Sequence, residues 1–407
     1  MNSTIRNIGT ILDSISVTHK FDKDKLIFLN TSDVLEGKIL IDKYVNVSTL
    51  KGQAKKTIKN EDILFSEIRP KNKRFAFVKV KNQEDYVVST KLMVLRNKTN
   101  DVLTQYVYYF LTYDGTLNYL QMRAENRIGS FPQITFDLVK ELELNVPEKS
   151  IQQKIVDAIS AIDSKIEINN RINAELEAMA KTLYNFWFVQ FDFPNEKGEP
   201  YKSAGGKMVW NEELKRNIPN GWEVGELSDI ANIIMGQSPP GESYNEKGKG
   251  VIFFQGCTDF GNRFPSVHQF TTQPARFAKS GDILLSVRAP VGTINIAKED
   301  CCIGRGLAAM NSKDNVTTYL FEVMKNFKQV FDRRNVNGTT FGSITKDDLF
   351  SLKVLKPEKD ILEQYQKIIH PTFEQQNKLE LESQTLTELR DWLLPMLMNG
   401  QVTVNAI

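Results

Sequence analysis

The stretch "EDILFSEIRP" occupies Glu61–Pro70, and "GDILLSVRAP" occupies Gly281–Pro290, 220 residues later. Both carry Asp-Ile-Leu, a Ser four residues after the Asp, and a closing Pro. One such run reads as a short buried strand that ends in a turn. Two such runs ask whether the whole chain is doubled. Downstream, "ITFDLVKELELNVPEKS" from Ile134 becomes "ITKDDLFSLKVLKPEKD" from Ile344, with the tripeptide PEK intact. Upstream, "FLNTSDV" from Phe28 resembles "FQGCTDF" from Phe254. The offset between matched blocks changes along the chain, as insertions in the surface loops of two diverged copies would make it. The 407 residues therefore read as a tandem repeat.

Charge follows the same doubling. The net charge is only +2, but it is unevenly spread: +5 over residues 1–147, −2 over 148–198, +3 over 199–356 and −4 over 357–407. Basic blocks suit a polyanion, and acidic blocks do not. The acidic blocks carry helical periodicity. Ile151, Ile155, Ile159, Ile162, Ile166, Leu176, Ala180, Leu183 and Trp187 recur at spacings of 3 and 4, with Asn169 and Asn173 on the same seam. That is the pattern of helix-on-helix packing, in which a polar seam residue fixes register. About 40 residues of such helix span roughly 60 Å. Ile361, Tyr365, Ile368, Leu379, Leu386, Leu389, Leu393 and Met396 give the second helix. Pro371 should bend or break it, Pro395 should bend it again, and Gly400 should stop it.

The basic blocks mix short β-like runs ("RFAFVKV", "YVVST", "VIFFQG", "DILLSV", "TINIA") with turns and one helical stretch per copy, "TQYVYYFLTY" and "TTYLFEVMKNF". The expected fold class is α+β: two globular α/β domains in tandem, each followed by a long helix, the two helices packing as an antiparallel coiled coil. Expected boundaries are 1–147 and 222–356 for the globular domains, 148–191 and 357–400 for the helices, 192–221 for a Pro/Gly/Asn/Lys-rich linker, and 401–407 for a tail.

Catalytic patterns are missing from the sequence. "SAGGKMV" fails the spacing of a phosphate-binding loop, and no H-E-x-x-H is present. "MGQSPPG" from Met235 has Ser where an amino-methyltransferase loop needs Asn. Cys257, Cys301 and Cys302 suit neither a disulfide framework nor a zinc site, and His19, His268 and His370 lie far apart. No apolar run reaches the ~18 residues of a membrane helix, and a cytoplasmic, non-enzymatic protein is expected. Two similar basic modules on a helical spacer suit one long ligand read at two short sites, and the spacing of turns in double-stranded DNA fits such a ligand.

Four stretches carry a resemblance. "LYNFWFVQFDFP" (Leu183–Pro194) resembles the "LFxxWFVxFDP" that ends the first helix in specificity subunits of type I restriction–modification systems. "LRDWLLPMLMNGQV" (Leu389–Val402) is similar to the "LRDxLLPxLxxGxI" closing the second. "IIMGQSPPGESYN" resembles the "xxGxTPP" opening of a target-recognition domain, and "GDILLSVRAPVG" resembles its central strand and turn. The first copy departs at its opening, where "GTILDSISVTHKFDKD" lacks the G-x-T-P turn. The resemblance implies two target-recognition domains that read an asymmetric, split DNA sequence, with the helices fixing the separation. It implies as partners two methyltransferase (modification) subunits, with restriction/translocase subunits added. S-adenosylmethionine, ATP and Mg²⁺ would then sit on those partners, and none on this chain. The alternative reading is a tandem coiled-coil scaffold that binds protein only.

Candidate DNA contacts follow from cation placement. The turn "SEIRPKNKRF" carries Arg69, Lys71, Lys73 and Arg74, and the matching turn of the second copy carries Arg288. Such cations suit phosphate, or guanine in the major groove. Arg123 and Arg127 precede a Gly turn in the first copy, and Arg333 and Arg334 take the corresponding place in the second. Lys91 and Arg305 stand at parallel strand ends. Gln237 and Ser238 are candidates for a base edge. Phe186, Trp187, Phe188 and Trp392, near the helix ends, are candidate partner anchors as well as candidate core.

Overall fold

The repeated strand divides two cores in each copy, and the rest of each copy is arranged around it. The computed structural model describes residues 3–50, 52–126, 132–336 and 343–402. Ile63–Ser66 is a strand with every residue buried, and so is Ile283–Ser286. Side chains alternate across a strand. Ile63 and Phe65 therefore join one apolar cluster while Leu64 joins another. Ile283 and Leu285 likewise join one cluster and Leu284 a second. Burial on both faces is why the run is continuously apolar.

Each strand sits third in a four-stranded sheet. The first copy orders Leu12–Ile15, Leu92–Asn97, Ile63–Ser66 and Phe75–Phe77; the second orders Ala231–Met235, Leu307–Ser312, Ile283–Ser286 and Ile294–Ile296. All of these neighbours are antiparallel. A second sheet in each copy holds one parallel pair, Lys25–Leu29 with Tyr86–Ser89 and Val251–Phe254 with Cys301–Ile303. A short antiparallel pair joins the ends of each copy: Ser3–Asn7 to Glu143–Pro147, and Glu223–Glu226 to Lys353–Lys356. The strand-rich runs and both helical stretches expected from the sequence are present, the latter as Thr104–Thr112 and Thr317–Val336. The first copy adds a helix the sequence reading did not anticipate, Asp114–Glu125.

The repeat extends to individual bonds. Asp62 Oδ2 accepts the Lys59 N–H at 2.7 Å, and Asp282 Oδ2 accepts the Lys279 N–H at 2.8 Å. Tyr106 donates to the carbonyl of Asn145 and Tyr319 to that of Leu355, both at 2.8 Å. Divergence begins at the partner of the Asp: Arg96 pairs with both oxygens of Asp62 at 2.8 Å, whereas Asn311 donates to Asp282 at 2.9 Å.

Two long helices follow the copies, Lys149–Tyr184 and Lys359–Met398, and the first continues into a π-helical turn over Asn185–Val189. The second is continuous through Pro371 and Pro395, so no break occurs there. A proline in a helix interior costs roughly 3 kcal/mol. Apolar burial of Tyr365 and Ile369 on the turns before Pro371 works against that cost. The helix stops as expected: Gly400 has φ +68°, and the Gly400 and Gln401 amides reach the carbonyls of Leu397 and Met396. In the second helix Ile361, Tyr365 and Leu379 of the seam read from sequence are buried, but the seam departs at two places. Ile368 and Leu389 are exposed, while Leu362, Ile369, Leu394 and Leu397 face inward.

The chain divides into two units, one of residues 1–166 with 384–407 and the other of residues 167–383. In the first, Ile155, Val156, Ile159, Leu394, Leu397 and Met398 pack with the first copy's core. There Asp163 accepts from Tyr109 at 3.1 Å and from Arg390 at 3.0 Å. In the second, Ala180, Tyr184, Ile361, Tyr365 and Ile369 pack with the second copy's core. There Asn169 donates to Glu382 at 2.8 Å, and Arg263 donates to Asn377 while lying 4.1 Å from the ring centroid of Phe373. The expected linker 192–221 is folded: Met208–Asn211 pairs with Arg216–Pro219, and Phe193 stacks on Tyr201 and Trp222. Its Pro/Gly/Asn residues make the turns of that structure. Among the described residues, no helix is long and apolar enough to cross a membrane.

Candidate nucleic-acid interface

At the end of the central strand, main-chain bonds gather separate loops in the same way in both copies. In the first copy the Glu67 N–H reaches the Lys91 carbonyl at 3.2 Å, and the Glu67 carbonyl accepts the Ile134 N–H at 2.8 Å. In the second the Val287 N–H reaches Gly306 at 2.9 Å, and Val287 accepts from Ile344 at 2.8 Å. Bridges between Ile68 and Gln133, and between Arg288 and Ser343, continue the match. The Ser common to both copies braces the turn: Ser66 Oγ donates to the carbonyl of Ile68 and Ser286 Oγ to that of Arg288, each at 3.2 Å. The second copy brings in a further loop, because the Gly236 and Gln237 amides donate to Leu307 and Ile303.

These bonds place most of the candidate residues. Arg69, Lys71 and Lys91 are exposed in the first copy, around the junction at Glu67. Arg69 and Lys73 both adopt left-handed backbone, φ +47° and +53°, which folds the turn back on itself. Lys73 is half-buried and paired with Asp114 at 3.2 Å. Arg74 is half-buried and donates to the carbonyls of Ser32 and Val34 at 3.0 and 3.3 Å. Both are thus engaged within the copy, which the sequence did not reveal. The helix Asp114–Glu125 packs on this turn, where the Lys71 N–H reaches Gln121 Oε1. The same helix carries exposed Arg123, whose guanidinium meets the Tyr119 hydroxyl at 3.2 Å.

In the second copy Gln237, Arg288 and Arg305 are exposed. Ser238 is half-buried and exchanges hydrogen bonds with Gln255, while its Oγ accepts the Arg305 N–H at 3.3 Å. Lys91 and Arg305 are offset by one place, since the bond pattern matches Lys91 with Gly306. Arg127 lies outside the described residues, as do the side chains of Arg333 and Arg334. Trp187 and Phe188 are buried in the second unit's core, where Phe188 meets Tyr365 edge-on with ring centroids 4.9 Å apart. Of these four candidate anchors, Phe186 and Trp392 are exposed, at 38% and 63%.

Sequence reasoning passed over three residues at the first junction. Gln133 Nε2 donates to Glu67 Oε2 at 2.8 Å. Lys56 is buried, and its ammonium donates to the carbonyls of Thr90 and Leu92 at 3.1 and 2.8 Å. Burial pushes the Lys56 ammonium below its ordinary value, and the charge of Glu67 partly counters this. The signal for Glu67 was present in the sequence as the acid standing where the second copy has Val287. Among the described residues, no group of His, Cys, Asp and Glu could hold a metal ion. The junctions offer exposed cations, amides and hydroxyls held on a fixed main chain, which suits binding to an extended anion.

The family model described as "Type I restriction modification DNA specificity domain" matches the chain twice, over residues 5–178 and 219–391. The type I restriction enzyme HindI specificity subunit of Haemophilus influenzae is 31% identical, over 97% of this chain and 98% of its own. A putative type I restriction enzyme MjaX specificity subunit of Methanocaldococcus jannaschii is 30% identical, over 98% and 93%. In fold, the chain is similar to the S subunit of a type I restriction–modification system from M. genitalium, with a TM-score of 0.56 and 16% identity over 100% of this chain and 97% of that one.

Proposed function

The chain belongs to the type I restriction–modification DNA specificity family, and on that premise we propose that it reads a split, asymmetric DNA sequence, one half-site per copy. The observation that carries this is the pair of matched junctions, where the same main-chain bonds hold exposed cations on both copies. Arg69, Lys71, Lys91 and Arg123 of the first copy, and Arg288 and Arg305 of the second, meet phosphate or guanine. Lys73 and Arg74 brace the first turn through Asp114 and the Ser32 and Val34 carbonyls. Exposed Gln237 reaches a base edge, while Ser238, bonded to Gln255 and Arg305, holds its loop in place. Arg127, Arg333 and Arg334 belong to the same contact faces.

The two long helices pack as an antiparallel coiled coil and set the unread gap between half-sites. The chain has no catalytic role of its own. It scaffolds two methyltransferase subunits, to which Phe186 and Trp392 present exposed aromatic surface, and restriction subunits add to that core. S-adenosylmethionine, ATP and Mg²⁺ reside on those partners, and the complex works in the cytoplasm.

Duplex binding by the chain with its methyltransferase subunits tests the reading. Affinity for one bipartite sequence should fall steeply between 50 and 200 mM salt, by roughly 10³-fold or more if six or more phosphates are contacted. Absence of duplex binding in that complex would leave the protein-only scaffold standing instead.

A further inference from the structure

We propose that Glu67 is a specificity-determining residue of the first copy, accepting a hydrogen bond from an exocyclic base amino group in the major groove, cytosine N4 or adenine N6. This rests on the DNA-reading function proposed above and names one of its base contacts.

Glu67 stands where three loops meet. Its amide is bonded to Lys91 and its carbonyl to Ile134, so its main chain is fixed from both sides. Its side chain is half-buried at that meeting point. Gln133 holds one carboxylate oxygen at 2.8 Å, which sets the plane of the group. The other oxygen has no partner among the described residues, and Glu67 forms no ion pair there. The nearby lysine is committed elsewhere, since the Lys56 ammonium is bonded to the Thr90 and Leu92 carbonyls.

The electrostatics then narrow what such a group can meet. Arg69, Lys71 and Lys91 surround the junction and draw in a polyanion. A carboxylate set against phosphate is repelled. The donors that a duplex offers in its major groove are the amino groups of cytosine and adenine, and a carboxylate can only accept. A carboxylate oriented by a neighbouring amide is therefore suited to a base edge. The second copy lacks the feature at its matched junction, where Val287 and Ser343 stand in place of Glu67 and Gln133. The two half-sites should accordingly differ at this position.

The test uses the full chain with its methyltransferase subunits, in wild-type form and as Glu67→Val and Glu67→Gln. Methylated motifs are mapped in cellular DNA, and duplexes altered one base at a time compete for binding. At one position of one half-site the wild type should prefer its base pair by roughly 5- to 150-fold. Glu67→Val should abolish that preference and Glu67→Gln should weaken it, while the other half-site and the gap stay unchanged. The base pair at which preference is lost tells cytosine from adenine. If thermal unfolding shows that the Val variant does not fold, the near-isosteric Gln variant decides alone. An unchanged preference in the folded variants, or a uniform loss of affinity at every position, overturns the proposal. A wild-type complex with no bipartite motif would instead overturn the DNA-reading function itself, and is scored before the variants.

Discussion

The first copy closes its central strand on Glu67, Arg69 and Lys71, and the second closes it on Val287, Arg288 and Pro290, yet both hold their loops with the same main-chain bonds. The likeness lies in amides, carbonyls, one Ser and one Asp. The difference lies in side chains beyond the strand end. The shared frame is therefore mostly main chain, and the two copies part in the side chains it presents.

The largest expected contrast concerns the matched aspartates. Asp62→Ala strands Arg96, half-buried and bonded to both oxygens, and should cost about 3 kcal/mol. Asp282→Ala loses only neutral partners, Asn311 and the Lys279 amide, and should cost about 1–2 kcal/mol. Urea unfolding midpoints check the ranking, and equal costs would mean that the Arg96 pair adds nothing. A smaller effect concerns the turns. Arg69→Ala with Lys71→Ala should lower the slope of log affinity against log salt by about 2, and Arg288→Ala by about 1, each leaving the recognised sequence unchanged. A changed motif would assign these cations to bases instead of phosphates.

The smallest concerns Lys56. Its folded value lies below the ordinary 10.5 because the ammonium is buried. The charged form is then penalised in the folded state at neutral pH, and the penalty lifts as pH rises through the folded value toward 10.5. Wild type should gain stability over Lys56→Met across that alkaline range, measured as the difference in unfolding midpoint.

The sequence made the strands legible because a repeat supplies its own control. A run such as Ile63–Ser66 is ambiguous alone, and much less so when Ile283–Ser286 says the same. Helix existence was legible from spacing, and so was much of the inward face: Ile155, Ile159, Ala180, Ile361 and Tyr365 are buried as read, while Ile368 and Leu389 are exposed. In the second helix Ile369 rather than Ile368 points inward, a choice set by the core it packs on and not by spacing. Local rules also lost to tertiary packing at Pro371 and at 192–221, where Phe193 and Ile218 are buried in a core. At the junctions, composition located Arg69, Lys71 and Arg288. It could not show that Arg74 spends its guanidinium on the carbonyls of Ser32 and Val34, since that pairing joins residues 40 and more apart in sequence.

The main-chain ties at the strand end have an evolutionary consequence. A bond from Glu67 N–H to Lys91 carbonyl asks nothing of either side chain. Substitutions at those side chains leave the bond in place, so over evolutionary time each strand end can change the chemistry it presents while the body of its copy stays the same.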